Sequence, residues 1–403
     1  MAHGILIPAK DKLFNLGEFF TFTKGNILTA FILAGGLIIT LVRFTQGIGS
    51  VANLSDVQPW GMWIGFDLLC GVALAAGGYF TTVACYVMGM KHFHSAVRPA
   101  VTTAFLGYAF VVVALLYDLG HWWRLPYMFF FPGTTSVLFE VGLCVATYLT
   151  VLFVEFSVAP CEWLAEKFPF LLKWRALVNR TTIILTIFGV TLSTLHQSSL
   201  GSLFLIAPGK LHPLWYSPFI PMFFFVSSMA AGGSMVIFEG MFAHKSVHHY
   251  MDATHLKEAD EVVFSFSKAV SFILFAYFMI KLTDLLVQAN TPYLCSGYGV
   301  LWLVEVLGFI LLPAFLYAKG ARERNLKICR FAAAATVLGI VLNRFNVCMI
   351  AYNYALPSAE RYFPSIWEIW ISCFVVTMIV TAYRFIVYHM PVLYEHPNFK
   401  DAH

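Results

Sequence analysis

The chain is a succession of long, unbroken apolar runs. They fall at about 26–48, 61–88, 99–121, 134–158, 180–206, 217–243, 262–290, 297–319, 329–352 and 366–389. Each exceeds the roughly 20 residues that a helix needs to cross the hydrocarbon of a bilayer. Inside a bilayer every backbone N–H and C=O must find its partner within the protein, so only helices and closed barrels span it. The runs are continuous rather than alternating, which excludes a barrel. The reading is an all-α membrane protein with ten transmembrane helices. Composition agrees: 60% of the 403 residues are hydrophobic and 11% are charged, against about 25% charged in an average soluble domain. A soluble fold cannot hide that much apolar surface. A soluble enzyme, a nucleic-acid binder and a disordered scaffold are therefore excluded.

Lys and Arg orient the spans, because cytoplasmic loops carry their excess. Of the 25, 18 lie in the N-terminal segment, in loops 2–3, 4–5, 6–7 and 8–9, and at the C-terminal end. Arg124, Lys210 and Arg361 lie on the opposite side, and Arg43, Lys268, Lys281 and Arg344 lie inside spans. Both termini are read as cytoplasmic. Residues 1–25 read as a short interfacial segment with no cleavable signal peptide, and 390–403 as a cytoplasmic tail. Tryptophan runs the other way. Trp60, Trp63, Trp122, Trp123, Trp215, Trp302, Trp367 and Trp370 fall at the outer face. An aromatic belt should be two-sided, so some of these are expected to touch a partner protein or a head group. The eight Cys form no CxxC and no CxxCH pattern. They read as small buried hydrophobes rather than disulfide, zinc or iron–sulfur ligands.

The two halves resemble each other. Trp60 precedes Ala75-Ala76-Gly77-Gly78 by the same interval that separates Trp215 from Ala230-Ala231-Gly232-Gly233. Asp118 and Glu140 of spans 3 and 4 correspond to Asp284 and Glu305 of spans 7 and 8, and His196 of span 5 to Asn346 of span 9. Spans 2–5 (61–206) and 6–9 (217–352) are read as two four-helix bundles in parallel repeat. Span 1 (26–48) and span 10 (366–389) flank them. Runs of small residues suit close helix contact.

An ionisable group within a span is costly, and is a functional-site hypothesis by default. Arg43, Asp67, Asp118, His121, Glu140 and His196 come from five spans of the first half and share the outer depth. Carboxylates beside imidazoles accept and donate protons. A quinone, which takes up two electrons and two protons, needs a donor to each carbonyl and a proton route. Asp118 and His121 are three apart and read as one helix face sharing a proton. His196 would approach from across the bundle, with Glu140 and Asp67 as relays. The alternative is that Asp67–Arg43 and Asp118–His121 are buried pairs. Glu155 and Glu239 are the inner-half carboxylates within spans and read as a cytoplasmic proton entry; pairing of Glu239 with Lys268 is the structural alternative. Lys281 and Asp284 read as a pair on one face, and Glu305, Arg344 and Glu368 as ion pairs or interface residues. A secondary transporter or an ion or proton channel would use such charges too, but places its site near the midplane between broken helices. A haem cytochrome needs two facing His, and only His196 sits well inside a span.

Several segments resemble the NrfD/PsrC family of integral membrane subunits, and most closely its ten-span, HybB-like branch. They are Trp60-Gly-Met-Trp-Ile-Gly-Phe-Asp67, Gly71 to Gly78, Arg98-Pro99-Ala100, Tyr117-Asp118-Leu119-Gly120-His121, Phe139-Glu140-Val141 and Leu195-His196-Gln197-Ser198-Ser199 through Leu203. The resemblance implies a bacterial inner-membrane subunit with no bound redox cofactor and no metal. It implies a site for menaquinone or ubiquinone near the outer face of the first bundle. It also implies a periplasmic ferredoxin-like iron–sulfur subunit and a further periplasmic catalytic or multihaem cytochrome subunit. The expected function is electron exchange between that iron–sulfur subunit and the quinone pool, with quinone reduction as the expected direction and proton translocation as a possible companion.

Overall fold

The computed structural model describes residues 23–247 and 253–394. Residues 1–22 of the expected interfacial segment and 395–403 of the expected C-terminal tail lie outside the described residues. Among the described residues, ten helices are long and apolar enough to cross a membrane. They are α1 (Lys24–Gln46), α2 (Trp63–Val87), α3 (Lys91–Asp118), α4 (Val137–Leu164), α5 (Leu171–Leu205), α6 (Ile220–Ala243), α7 (Glu258–Val287), α8 (Gly297–Arg322), α9 (Leu326–Ile350) and α10 (Ile366–His389). The chain is a multi-pass integral membrane protein.

Helices α3 and α5 begin eight and nine residues ahead of their apolar runs. Helix α3 keeps Pro99 inside it, where a membrane helix tolerates the missing N–H because neighbouring groups satisfy the freed carbonyl. Helix α5 begins at Leu171 and carries Lys173 and Arg175 ahead of the apolar stretch, which opens at Arg180. One buried carboxylate ties these extensions together. Glu162 takes two bonds from Arg98, at 2.8 and 2.9 Å, and one from Arg175 at 2.8 Å.

Helices α2 to α5 close a ring, each packed on the next and α5 back on α2; α6 to α9 close a second ring in the same order. The two rings meet where the small-residue runs cross. A Cβ added to Gly232 would stand 2.6 Å from the Ala76 carbonyl carbon and 2.6 Å from the Gly77 nitrogen. Only glycine lets the two backbones come that close. Helices α1 and α10 pack on each other and α10 packs against α3, while α1 meets the end of α3 through the Thr40 and Arg43 bonds to Tyr117. Ser365 caps α10 in a capping box with Glu368, whose carboxylate also takes the Asn53 N–H at 3.0 Å and the Tyr362 hydroxyl. The loop before α2 is thereby pinned to α10. Three of the outer-face tryptophans are interior: Trp63, Trp215 and Trp302 are buried, whereas Trp122, Trp123 and Trp367 are exposed.

Candidate functional site

Two ends of the molecule are told apart by their residues. The basic end holds Lys91, Arg98, Arg175 and Arg322; the Trp-rich end holds Trp60, Trp122, Trp123 and Trp367. At the Trp-rich end α3 stops at Asp118, and a helix end leaves its last carbonyls without intrahelical partners. Arg43 of α1 supplies them: Nε donates to the Tyr117 carbonyl at 2.8 Å and Nη2 to the Leu119 carbonyl at 2.7 Å. The guanidinium is almost fully buried, at 1% exposure. A cation at a helix C-terminus is also favoured by the macrodipole. Asp118 lies within electrostatic reach of Arg43 and Glu368, and its Oδ1 is buried with no hydrogen-bond partner. Asp67 projects from a π-helical opening of α2, Trp63–Leu68, which packs on α3. Its Oδ2 accepts the Ser372 hydroxyl of α10 at 2.7 Å. So α1, α2, α3 and α10 together build a buried rim of one cation and three carboxylates, Asp67, Asp118 and Glu368. π-Helical turns are frequent at functional sites.

His196 does not join this rim. Its Nδ1 is 3.0 Å from the Tyr108 hydroxyl, and Tyr108 lies ten residues before Asp118 on α3, about 15 Å along the helix. The His196 Nε2 is buried without a partner. Tyr148 packs edge-on to Tyr108 at 4.7 Å, Ser193 and Gln197 are fully buried, and Gln197 donates to the Val72 carbonyl at 2.9 Å. The first bundle thus has a polar interior that sequence reading missed. The signal was Ser193 and Gln197 bracketing His196 on α5.

Two other expected members stand apart. The helix ends at Asp118, and Leu119 takes an extended ψ of 117°, so His121 does not share the Asp118 face. His121 is exposed, with its ring 5.1 Å from that of Trp123. Glu140, in the first turn of α4, is also exposed and accepts the Ser199 hydroxyl of α5 at 2.6 Å.

Two cavities lie at the basic end on opposite faces of α3. One is bounded by Thr82, Tyr86, His94, Arg98, Glu155 and Asn179, among others. The other is a mostly apolar groove with Glu239, Arg330 and Tyr383 in its wall. Glu239 takes the Thr103 hydroxyl, while Lys268 is exposed on α7 and does not pair with it.

The second bundle holds a buried network around Glu305, 1% exposed. Its carboxylate takes the indole N–H of Trp215 at 2.8 Å, Asn343 at 2.7 Å, Asn346 at 2.7 Å and the Lys281 ammonium at 3.4 Å. Lys281 therefore pairs with Glu305 rather than with Asp284, which accepts the Ser217 hydroxyl at 2.6 Å. Arg344 stacks over Phe224, 3.7 Å from its centroid, and donates to Asn343 at 2.7 Å and Ser227 at 2.9 Å. The Glu305 carboxylate is satisfied from within, as buried charge requires, while Arg344 Nε and Asn346 Oδ1 stay buried without a partner.

Comparison with known proteins shows the family. The family model described as "Polysulphide reductase, NrfD" matches residues 50–355. A protein of Nitratidesulfovibrio vulgaris (strain Hildenborough) is 66% identical over 382 residues, covering 94% of this chain and 97% of its own. The probable Ni/Fe-hydrogenase 2 b-type cytochrome subunit of Escherichia coli K12 is 30% identical over 363 residues, with 89% of each chain covered. The integral membrane subunit of menaquinone reductase from N. vulgaris is 27% identical over 397 residues, covering 90% of this chain and 91% of its own.

Proposed function

The chain belongs to the polysulphide reductase NrfD family, and from that premise we propose that it is the quinone-reactive membrane subunit of a respiratory complex. The observation that carries the reading is the buried rim at the Trp-rich end of the first bundle. There Asp118 keeps one carboxylate oxygen without a partner beside Arg43. In this reading the head group of menaquinone or ubiquinone enters at that rim, and Asp118 and Asp67 exchange protons with its oxygens. Arg43 stabilises the negative charge that develops when electrons arrive before protons. His196 and Tyr108, deeper in the bundle, pass protons rather than touch the ring.

The relatives named as menaquinone reductase and hydrogenase subunits support the same electron-exchange role. By the excess of Lys and Arg, the basic end faces the cytoplasm of a bacterial inner membrane and the Trp-rich end the periplasm. A periplasmic ferredoxin-like iron–sulfur subunit would dock on that outer end and bring electrons from a further periplasmic catalytic or multihaem cytochrome subunit. The Escherichia coli relative is named a b-type cytochrome subunit. We propose that this chain itself is haem-free. A haem held across a bundle needs two facing His, His196 already bonds Tyr108, and its counterpart in the second bundle is Asn346.

Photolabelling tests the site. A quinone analogue with a photoreactive ring should attach to peptides spanning 63–68 or 117–121. Labelling confined to α6–α9 or to the basic end would overturn the assignment.

A further inference from the structure

The groove beside Glu239 differs in chemistry from the cavity across α3. It has a volume of about 110 Å³, and apolar residues or glycine make up 12 of its 16 lining positions. The Glu155 cavity has polar or charged residues at 8 of 14. A polar cavity suits water; an apolar groove open at the end of a membrane protein suits a hydrocarbon chain.

One cationic group borders that apolar wall. Arg330, one turn into α9, has its Nε buried without a hydrogen-bond partner. A buried donor on a charged group is costly when left unpaired. The carboxylate in the same groove does not serve it, since Glu239 takes the Thr103 hydroxyl and forms no ion pair with Arg330. The space is real at the backbone too: a Cβ added to Gly240 meets nothing within 4 Å.

We propose that this groove binds an anionic phospholipid, with its phosphate on Arg330 and an acyl chain along the wall formed by Pro99, Val236, Val262 and Val263. The guanidinium fork matches phosphate oxygens in geometry and charge. The groove opens at the end that carries the excess of Lys and Arg, where anionic head groups gather. Glu239, at its inner wall, stays bonded within the protein.

The test is native mass spectrometry of the purified full chain, with phosphatidylglycerol and phosphatidylethanolamine as probes in detergent. The wild-type chain should retain phosphatidylglycerol preferentially. Arg330→Gln should weaken retention about tenfold, the effect of losing a hydrogen bond to a charged group, and remove the preference. Gly240→Phe, which fills the groove and leaves Arg330 in place, should weaken retention of both lipids. Lys319→Gln, exposed at the same end outside the groove, should change neither. Equal retention of the two lipids by the wild-type chain would overturn the proposal. So would indifference to both groove variants, or a quinone found in place of the lipid. None of these measurements depends on quinone turnover, so the proposal stands or falls apart from the functional reading.

Discussion

At Asp118 a single carboxylate concentrates the chemistry of the rim. Its Oδ1 has no partner, and the Arg43 donors beside it are bound to the carbonyls of Tyr117 and Leu119. The arginine thus lends Asp118 its field without occupying its oxygens. Asp118→Asn keeps the volume and removes the acid. Quinone turnover by the assembled complex should fall about 10²-fold or more, the usual size of a general acid–base contribution. Subunit composition checks assembly, and a wild-type rate in an assembled variant would move the site elsewhere. Arg43, Asp67 and Asp118 were legible in the sequence because charge inside an apolar run is rare and costly. The role given to His121 was not sound at the level of geometry. Gly120, just past the Leu119 cap, marks the stop at Asp118, but the aromatic text continuing through Trp122 and Trp123 masks it. Tyr108 and Tyr148 were not legible at all: among 18 tyrosines, only the fold says that Tyr108 bonds His196 and that Tyr148 packs on Tyr108.

Helix α3 separates two environments that its sequence does not distinguish. One face borders the polar Glu155 cavity, the other the apolar Glu239 groove. The two glutamates looked equivalent as inner-half carboxylates; their surroundings differ. In liposomes carrying the complex, Glu155→Gln should cut charge movement coupled to quinone turnover, and Glu239→Gln should leave it. Charge movement unchanged in both variants at normal turnover would reject proton entry at Glu155. The loops at the other end form a clamp of their own. Leu211 bridges to Tyr352, the His212 N–H donates to the Ala351 carbonyl at 3.0 Å, and the Asn353 N–H to the Lys210 carbonyl at 2.7 Å. The His212 ring stacks on Tyr298 at 4.6 Å and its Nδ1 accepts the Leu214 N–H at 3.2 Å. Burial holds the His212 pKa below its ordinary value. A histidine kept neutral in the fold contributes stability fully present above its unfolded pKa, about 6.5. That stability is lost as pH falls from there through the lower, folded value. The melting temperature of the purified chain should therefore drop on acidification below about pH 6.5, and His212→Phe, which keeps the stack, should flatten the drop. An identical pH profile in the variant would show that the ring does not titrate with unfolding.

The whole molecule is organised by the meeting of its two repeats. The repeat was readable because the Ala-Ala-Gly-Gly runs, Asp118 with Asp284 and Glu140 with Glu305 recur in order. What the text could not give is that the two runs lie on each other. Beside the contact, a Cβ on Gly78 would meet Ala104, and one on Gly233 would meet Val270. Ala104 and Val270 are separated by the same interval as Asp118 and Asp284, so α3 and α7 hold equivalent places in the two rings. The charges diverged while the packing stayed: His196 faces Tyr108 in one bundle, and Asn346 serves Glu305 in the other. The glycine contact should therefore matter more to the fold than any single charge. At Gly232 the atoms that a Cβ would strike, at 2.6 to 2.9 Å, belong to the backbone of Ala76 and Gly77. Backbone cannot rotate away as a side chain can, so α2 and α6 would have to part. Overpacking of this kind costs about 1–3 kcal/mol and sometimes more. Gly232→Val should lower the melting temperature of the detergent-purified chain and reduce the yield of monodisperse protein. Gly308→Ala, where an added Cβ meets nothing within 4 Å, is the matched control and should behave as wild type. If Gly232→Val melts with the control, the two rings are not held by this crossing, and the α5–α6 contact carries the junction instead.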